Sequence, residues 1–312
     1  MDFSLSPDRW ATYYHAQAHR RGSLMPRHLL IAAALLLVAS LPSAWAAEAW
    51  RYGLSGDLVN DDNATRGLYD GKKSDNFLSV EGSATRSFFL SPTSGALVRA
   101  AARYTQYQDI QDISNLMLIG RAAWRFQPTL GFGAPWYELA GEIRFLQHAD
   151  SELRDGSIVT LEASVGSHLT DRVRLAGGVG LDERSGDSTG VYDLSSTRIW
   201  GSMDLRLGVQ NTLYGRLTYQ AGDQVFNVIA ALGLGVWAPD PALASVYGAP
   251  GNAYRVDATT QIYEFGFNYP LARRQALDFS YAHVTSKAEE GPAQGDKYNI
   301  SQLRASYLYR FQ

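Results

Sequence analysis

The chain has 312 residues, no Cys and 19% charged residues, below the roughly 25% usual for soluble domains. A formal net charge of −3 argues against a nucleic-acid partner. Six His without any Cys leave little material for a zinc or thiol site, so no metal and no cofactor are expected. An apolar content of 46%, with 18 Tyr, 12 Phe and 7 Trp, excludes a disordered chain.

The first element in chain order is a leader. Only residues 29–39 are continuously apolar, about half of the roughly 20 that a membrane-spanning helix needs. Arg27 and His28 precede this run and Ala44, Trp45 and Ala46 follow it, the order of a secretory signal peptide with cleavage after Ala46. Residues 1–24 would make an overlong n-region containing Asp2 and Asp8, whereas a start at Met25 has ordinary shape. The expected organisation is therefore an upstream mis-start over 1–24, a signal peptide over 25–46 and a mature chain over 47–312. N-terminal sequencing of envelope protein should begin at Ala47, and a start upstream of Leu41 would contradict this. Export without Cys suits a bacterial envelope, where no disulfide is needed.

From Trp50 onward the apolar period is two. Trp50, Tyr52, Leu54, Gly56 and Leu58 alternate with Arg51, Gly53, Ser55 and Asp57, the pattern of a strand with one apolar and one polar face. Eleven more rows follow, from Leu78–Ala84 through Leu116–Phe126 and Tyr263–Tyr269 to Leu303–Phe311, which gives twelve strands. Their connections alternate in length. Short turns near Pro92, Pro128, Asp171, Asn211 and Arg274 alternate with long loops at 60–74, 108–115, 147–157, 183–196, 221–253 and 284–297, and all four Lys fall in the long ones. This predicts an all-β fold: a transmembrane antiparallel up-and-down β-barrel with short periplasmic turns and long extracellular loops. The 33-residue connection 221–253 contains the apolar run 225–237. It is expected to fold into the mouth as a constriction, or else to add a hairpin and raise the count to 14.

The polar rows carry nine Arg and seven acids. By parity the lumen-lining set includes Glu81, Arg99, Arg103, Arg121, Arg125, Glu138, Glu142, Arg144, Glu162, Arg206, Arg216 and Arg304, and Arg174, Asp204, Glu264 and Asp278 share the same face. Such a wall of mixed sign either fills a narrow interior with ion pairs or lines a weakly selective pore. If strands four and five are joined near 127–135, Arg121 faces Glu142 and Arg125 faces Glu138. The preceding loop would set Arg103 beside Arg121 and Arg99 beside Arg125, with Glu81 near Arg103.

Candidate chemistry elsewhere is sparse. His283 lies near Ser280 and Asp278 at a spacing that does not share one strand face, so no enzyme is expected. Asn60, Asp61, Asp62 and Asn63 with Asp70 could offer oxygen ligands to Ca²⁺, but lack EF-hand spacing.

The C-terminal strand, with Tyr307, Tyr309 and Phe311 alternating, resembles the signal by which bacterial outer-membrane barrels are recognised by their assembly machinery. Phe311 is penultimate here, whereas that family usually ends on the aromatic. Val59, Asn60, Asp61, Asp62 and Asn63 loosely resemble the opening of barrels found beside polysaccharide-export and surface-assembly systems. The resemblance implies residence in the bacterial outer membrane, with lipid, lipopolysaccharide and the assembly machinery as partners. Deleting Phe311 and Gln312 should then lower the amount of heat-modifiable folded barrel. Three functions remain in play: a channel passing or helping to export a small hydrophilic or saccharide-like solute, a closed structural or surface-binding barrel, and a lipid-acting hydrolase.

Overall fold

In the computed structural model the described residues are 46–47, 49–68, 71–186, 189–208, 211–229, 235–247, 251–290 and 293–311. The expected mis-start lies outside them, as does the signal peptide but for its last residue, Ala46. Twelve long strands form the fold. The first six are β1 (Arg51–Asp61), β2 (Asp75–Ser91), β3 (Ser94–Tyr107), β4 (Asn115–Phe126), β5 (Trp136–His148) and β6 (Gly156–His168). The others are β7 (Val173–Ser185), β8 (Leu194–Leu207), β9 (Asn211–Val228), β10 (Gly251–Ala272), β11 (Gln275–Ala288) and β12 (Lys297–Arg310). Each pairs antiparallel with the next, and β12 returns to β1 with Tyr309 opposite Leu54 and Ala305 opposite Leu58. The ring is closed, so no backbone edge meets lipid. Ala46–Ala47 pairs with Phe88 and Phe89 of β2.

Period-two alternation explains which face is which. The apolar rows point outward: Leu58 is 64% exposed, Leu161 57% and Phe265 56%, and every strand contributes to this belt. In water such a surface would be untenable; around a barrel it is the lipid contact. Tyr52, Tyr104, Trp124, Tyr137 and Tyr269 belong to the same outward face.

The connection after β9 differs in extent from the sequence reading. β9 runs on to Val228 and β10 starts at Gly251, because their inward side chains there are covered and the alternation gives way to a continuous apolar run. Residues 229–250 contain a short strand, Val236–Asp240, that pairs with β10 from Gly251 to Arg255. It lies off the ring, which keeps twelve strands. A 3-10 turn (Pro241–Leu243) and a short helix, α1 (Ala244–Tyr247), follow it.

Candidate functional site

The charged residues of the polar rows sit on the face opposite the lipid belt and are joined along the wall. Glu138 accepts from Arg121 (3.1 Å) and Arg125 (2.7 Å). Arg121 also approaches Glu142 at 3.9 Å, and Glu142 meets Arg144 at 3.1 Å. Arg144 continues to Asp182 at 3.9 Å, Asp182 pairs with Arg198, and Arg198 reaches Glu162 at 2.9 Å. This ladder crosses from β4 to β8. Asp182 and Arg198, its hub, were missed in sequence because each lies one residue beyond the apolar row; extending the parity by one step finds both.

Between β4 and β5 the register places Arg121 opposite Glu142 and Arg125 opposite Glu138, as the turn arithmetic expects. Between β3 and β4 it does not follow the expectation. Arg99, not Arg103, faces Arg121; Arg103 faces Met117 and Arg125 faces Gly95. A 3-10 turn (Gln111–Ile113) closes this loop tightly, and Thr105 pairs with Asn115, so the midpoint falls at residue 110 and the strands slide. Glu81 lies opposite Arg103 and binds it at 2.7 Å while also pairing with Arg99. The four arginines therefore form two clusters, one pair sharing Glu81 and the other sharing Glu138.

Other members behave differently. Arg206 and Arg304 are exposed on the inward parity and have no carboxylate within 4.0 Å among the described residues. Arg216 faces Glu264 across the ladder, yet its guanidinium lies 4.3 Å over the Trp200 ring. Tyr307 and Phe311 are exposed on the belt, and the Phe311 ring packs edge-on against Tyr309 at 4.7 Å. His283 Nδ1 lies 3.2 Å from Ser301 Oγ on the outward parity. Asp278 and Ser280 occupy the other face.

At the long-loop end the mouth is covered. The β1–β2 loop crosses from its own strands to β9: Leu68 N–H donates to Asn227 O (2.9 Å), Asn227 N–H donates to Arg66 O (3.1 Å), and Asn227 Nδ2 donates to Thr65 O (2.6 Å). Arg66 takes a φ of 55° to make this turn, held by Asp61 at 2.9 Å. Gly67 is required beside it, since a Cβ there would sit 2.0 Å from Gly71 O. Leu68 then packs into an apolar cluster of the inward-facing Phe226, Val228, Tyr254, Val256, Tyr298 and Ile300. The former candidate Ca²⁺ ligands are engaged by protein donors: Asp61 by Arg66 and Gln302, Asp62 by Lys72 and the Ser301 N–H.

Residues 235–247 reach across the mouth in the other direction. Ala242 packs with Ala64, Ile110 and Ile113 of the β1–β2 and β3–β4 loops, and Ala238 packs with Leu153, Val191 and Tyr192 of the β5–β6 and β7–β8 loops. Asp240, wholly buried, ties these loops together. It accepts from Arg154 Nε (2.8 Å), Tyr192 OH (3.2 Å), Ser151 Oγ (3.4 Å) and Ala242 N–H (3.1 Å). Burial pushes the Tyr192 phenol well above its ordinary pKa and Asp240 adds to the shift, so it stays protonated and donates. Burial opposes the Arg154 charge, but the Asp240 carboxylate beside it favours that charge, and the net shift is upward.

At the short-turn end the interior is open. A cavity of about 600 Å³ is lined by Arg51, Arg99, Arg273, Arg274, Arg310 and Glu81, among others. A second, of about 430 Å³, lies against Arg172, Arg174, Arg206, Asp204 and Asp278, and Asn268 borders both.

No family model matches the chain, and no curated protein matches it. Solved structures do. An outer membrane channel from Pseudomonas putida F1 superposes with a TM-score of 0.53 at 11% identity, over 87% of this chain and 97% of that one. The CymD monoaromatic hydrocarbon channel gives a TM-score of 0.45 at 11% identity, over 85% and 89%. The KdgM porin in complex with disordered oligogalacturonate gives 0.44 at 7%, over 83% and 99%. At such identities the likeness is one of fold. The closed ring and its continuous apolar belt make this chain a twelve-stranded transmembrane β-barrel, the fold that the Pseudomonas putida channel shares.

Proposed function

We propose that the protein is an outer-membrane channel that passes, or helps to export, a small hydrophilic or saccharide-like solute, and that its outer loops form a closed gate. The carrying observation is the pair of charged cavities that run into the barrel from the short-turn end, with Arg206 and Arg304 left exposed on the inward parity. An interior built only to fill space would pair such groups and exclude water. On this reading the lumen-lining residues are the ladder and its neighbours: Glu81, Arg99, Arg103, Arg121, Arg125, Glu138, Glu142, Arg144, Glu162, Arg206, Arg216 and Arg304. Lipid and lipopolysaccharide surround the belt, and the assembly machinery reads Tyr307, Tyr309 and Phe311.

A closed structural barrel is the second reading, and the buried cap is the observation that favours it. Osmotic swelling of proteoliposomes separates the two. A channel should admit a pentose faster than protein-free vesicles do and exclude a long dextran. Vesicles that stay shrunken with both the intact and a cap-opened barrel would support the closed reading.

A further inference from the structure

Resting on the channel reading, we propose that the inner vestibule binds a multivalent oxyanion, a solute bearing two or more carboxylate or phosphate groups, taken up from the short-turn side. The argument is one of which charges remain after the internal pairs are made. Glu81, the acid of the larger cavity, is already shared by Arg99 and Arg103. In the smaller one Asp204 is held by Arg174, and Asp278 accepts from Tyr214 OH (2.8 Å) and Asn268 Nδ2 (3.2 Å). Asp171, in the β6–β7 turn, and Asp278, whose two partners are neutral, are the acids of the two linings that no arginine offsets.

Against these two stand Arg172, Arg206, Arg273, Arg274 and Arg310, none with a carboxylate within 4.0 Å among the described residues. Guanidinium forks match carboxylate and phosphate oxygens two at a time, and several around one vestibule favour a ligand with several acidic groups. A low-dielectric wall focuses this field into the opening.

The two ends of the barrel also differ in sign. The six long connections carry thirteen acidic and four basic residues, the five short ones one and three. An anion is thus drawn to the inner mouth and repelled at the outer one, the polarity of a device that collects from the periplasmic side.

Calorimetric titration of the refolded barrel in detergent with citrate and with pyrophosphate tests this, with sucrose as the neutral control. The comparison is the variant R273S/R274S/R310S, its folding checked by heat-modifiable migration, and R273K/R274K/R310K, which keeps the charge. Wild type should bind citrate or pyrophosphate, and the Ser variant should weaken this by at least about tenfold because hydrogen bonds between charged groups are the strong ones. The Lys variant, which keeps the charge and loses the forked donors, should bind between wild type and the Ser variant, and which probe binds better distinguishes a carboxylate from a phosphate ligand. No binding of either probe, or equal binding by wild type and the Ser variant, would overturn the proposal. Bilayer recordings of the same preparation keep the two readings apart. Current without anion preference or probe binding removes the oxyanion site and leaves the channel; probe binding without current does the reverse.

Discussion

Replacing Asp240 by Ala should open the barrel's outer mouth while leaving its wall intact. The carboxylate is wholly buried and receives four donors from three loops, including the mostly buried Arg154. Arg154 Nη2 already lacks a partner among the described residues. Removing the carboxylate strands this guanidinium, which costs on the order of 3–5 kcal/mol when one member of a buried pair is lost. Even the lower figure shifts a closed-to-open equilibrium by roughly a hundredfold. None of the twelve strand pairings involves Asp240, so the barrel should still migrate as a folded, heat-modifiable species. The expected readout is faster protease nicking within 229–250 and more frequent open-channel events. Unchanged cleavage and current would mean that the gate is held elsewhere. Asp240→Asn, which keeps the acceptor oxygen without the charge, should fall between the two.

The second large effect is expected in the wall. Asp182 binds Arg198, accepts from Thr160 Oγ1 (2.5 Å) and lies 3.9 Å from Arg144. Its loss leaves Arg198 with Glu162 alone, and Arg198 Nε is already an orphan among the described residues. Since these side chains are between 13% and 28% exposed, solvent offsets part of the penalty. Asp182→Ala should lower the stability of the folded barrel by about 2–3 kcal/mol, at or just below the lower end of the range for breaking a fully buried pair, measured by urea unfolding in lipid vesicles. Glu264→Ala makes the contrast, because Arg216 rests on Trp200 and not on that carboxylate; it should cost far less. Equal losses from both variants would show that the ladder is not a coupled unit.

How much of this was legible in the sequence follows from what each part depends on. The strand count, the turn and loop ends and the outward rows rest on period-two alternation between lipid and lumen, a local property that Leu54, Leu58, Leu161 and Phe265 display directly. The pairing of Arg121 with Glu142 was readable because the β4–β5 connection has a definable midpoint. The β3–β4 register was not, since Ile110 and Ile113 bury themselves under Ala64 and Ala242, and that tertiary contact fixes where the loop closes. The contact between Arg154 and Asp240 was invisible for the same reason: the two are 86 residues apart, and neither carries a local signal. Loop 229–250 betrayed only its apolar excess, which marks burial without saying against what. Arg198 and Asp182 could have been found by carrying the alternation past the last apolar residue, because strands of this barrel outrun the membrane.

The central claim is a gated pore, and single-channel conductance after excising the gate tests it most directly. The β9–β10 ladder ends with Val228 opposite Asn252, so residues 229–250 can be replaced by a short Asn-Gly turn without breaking a barrel pairing. The account predicts long-lived, stepwise current from the excised barrel in a planar bilayer, against rare or small openings of the intact protein under the same salt and voltage. A folded, excised barrel that stays silent, or one whose current equals that of the intact protein, would contradict it.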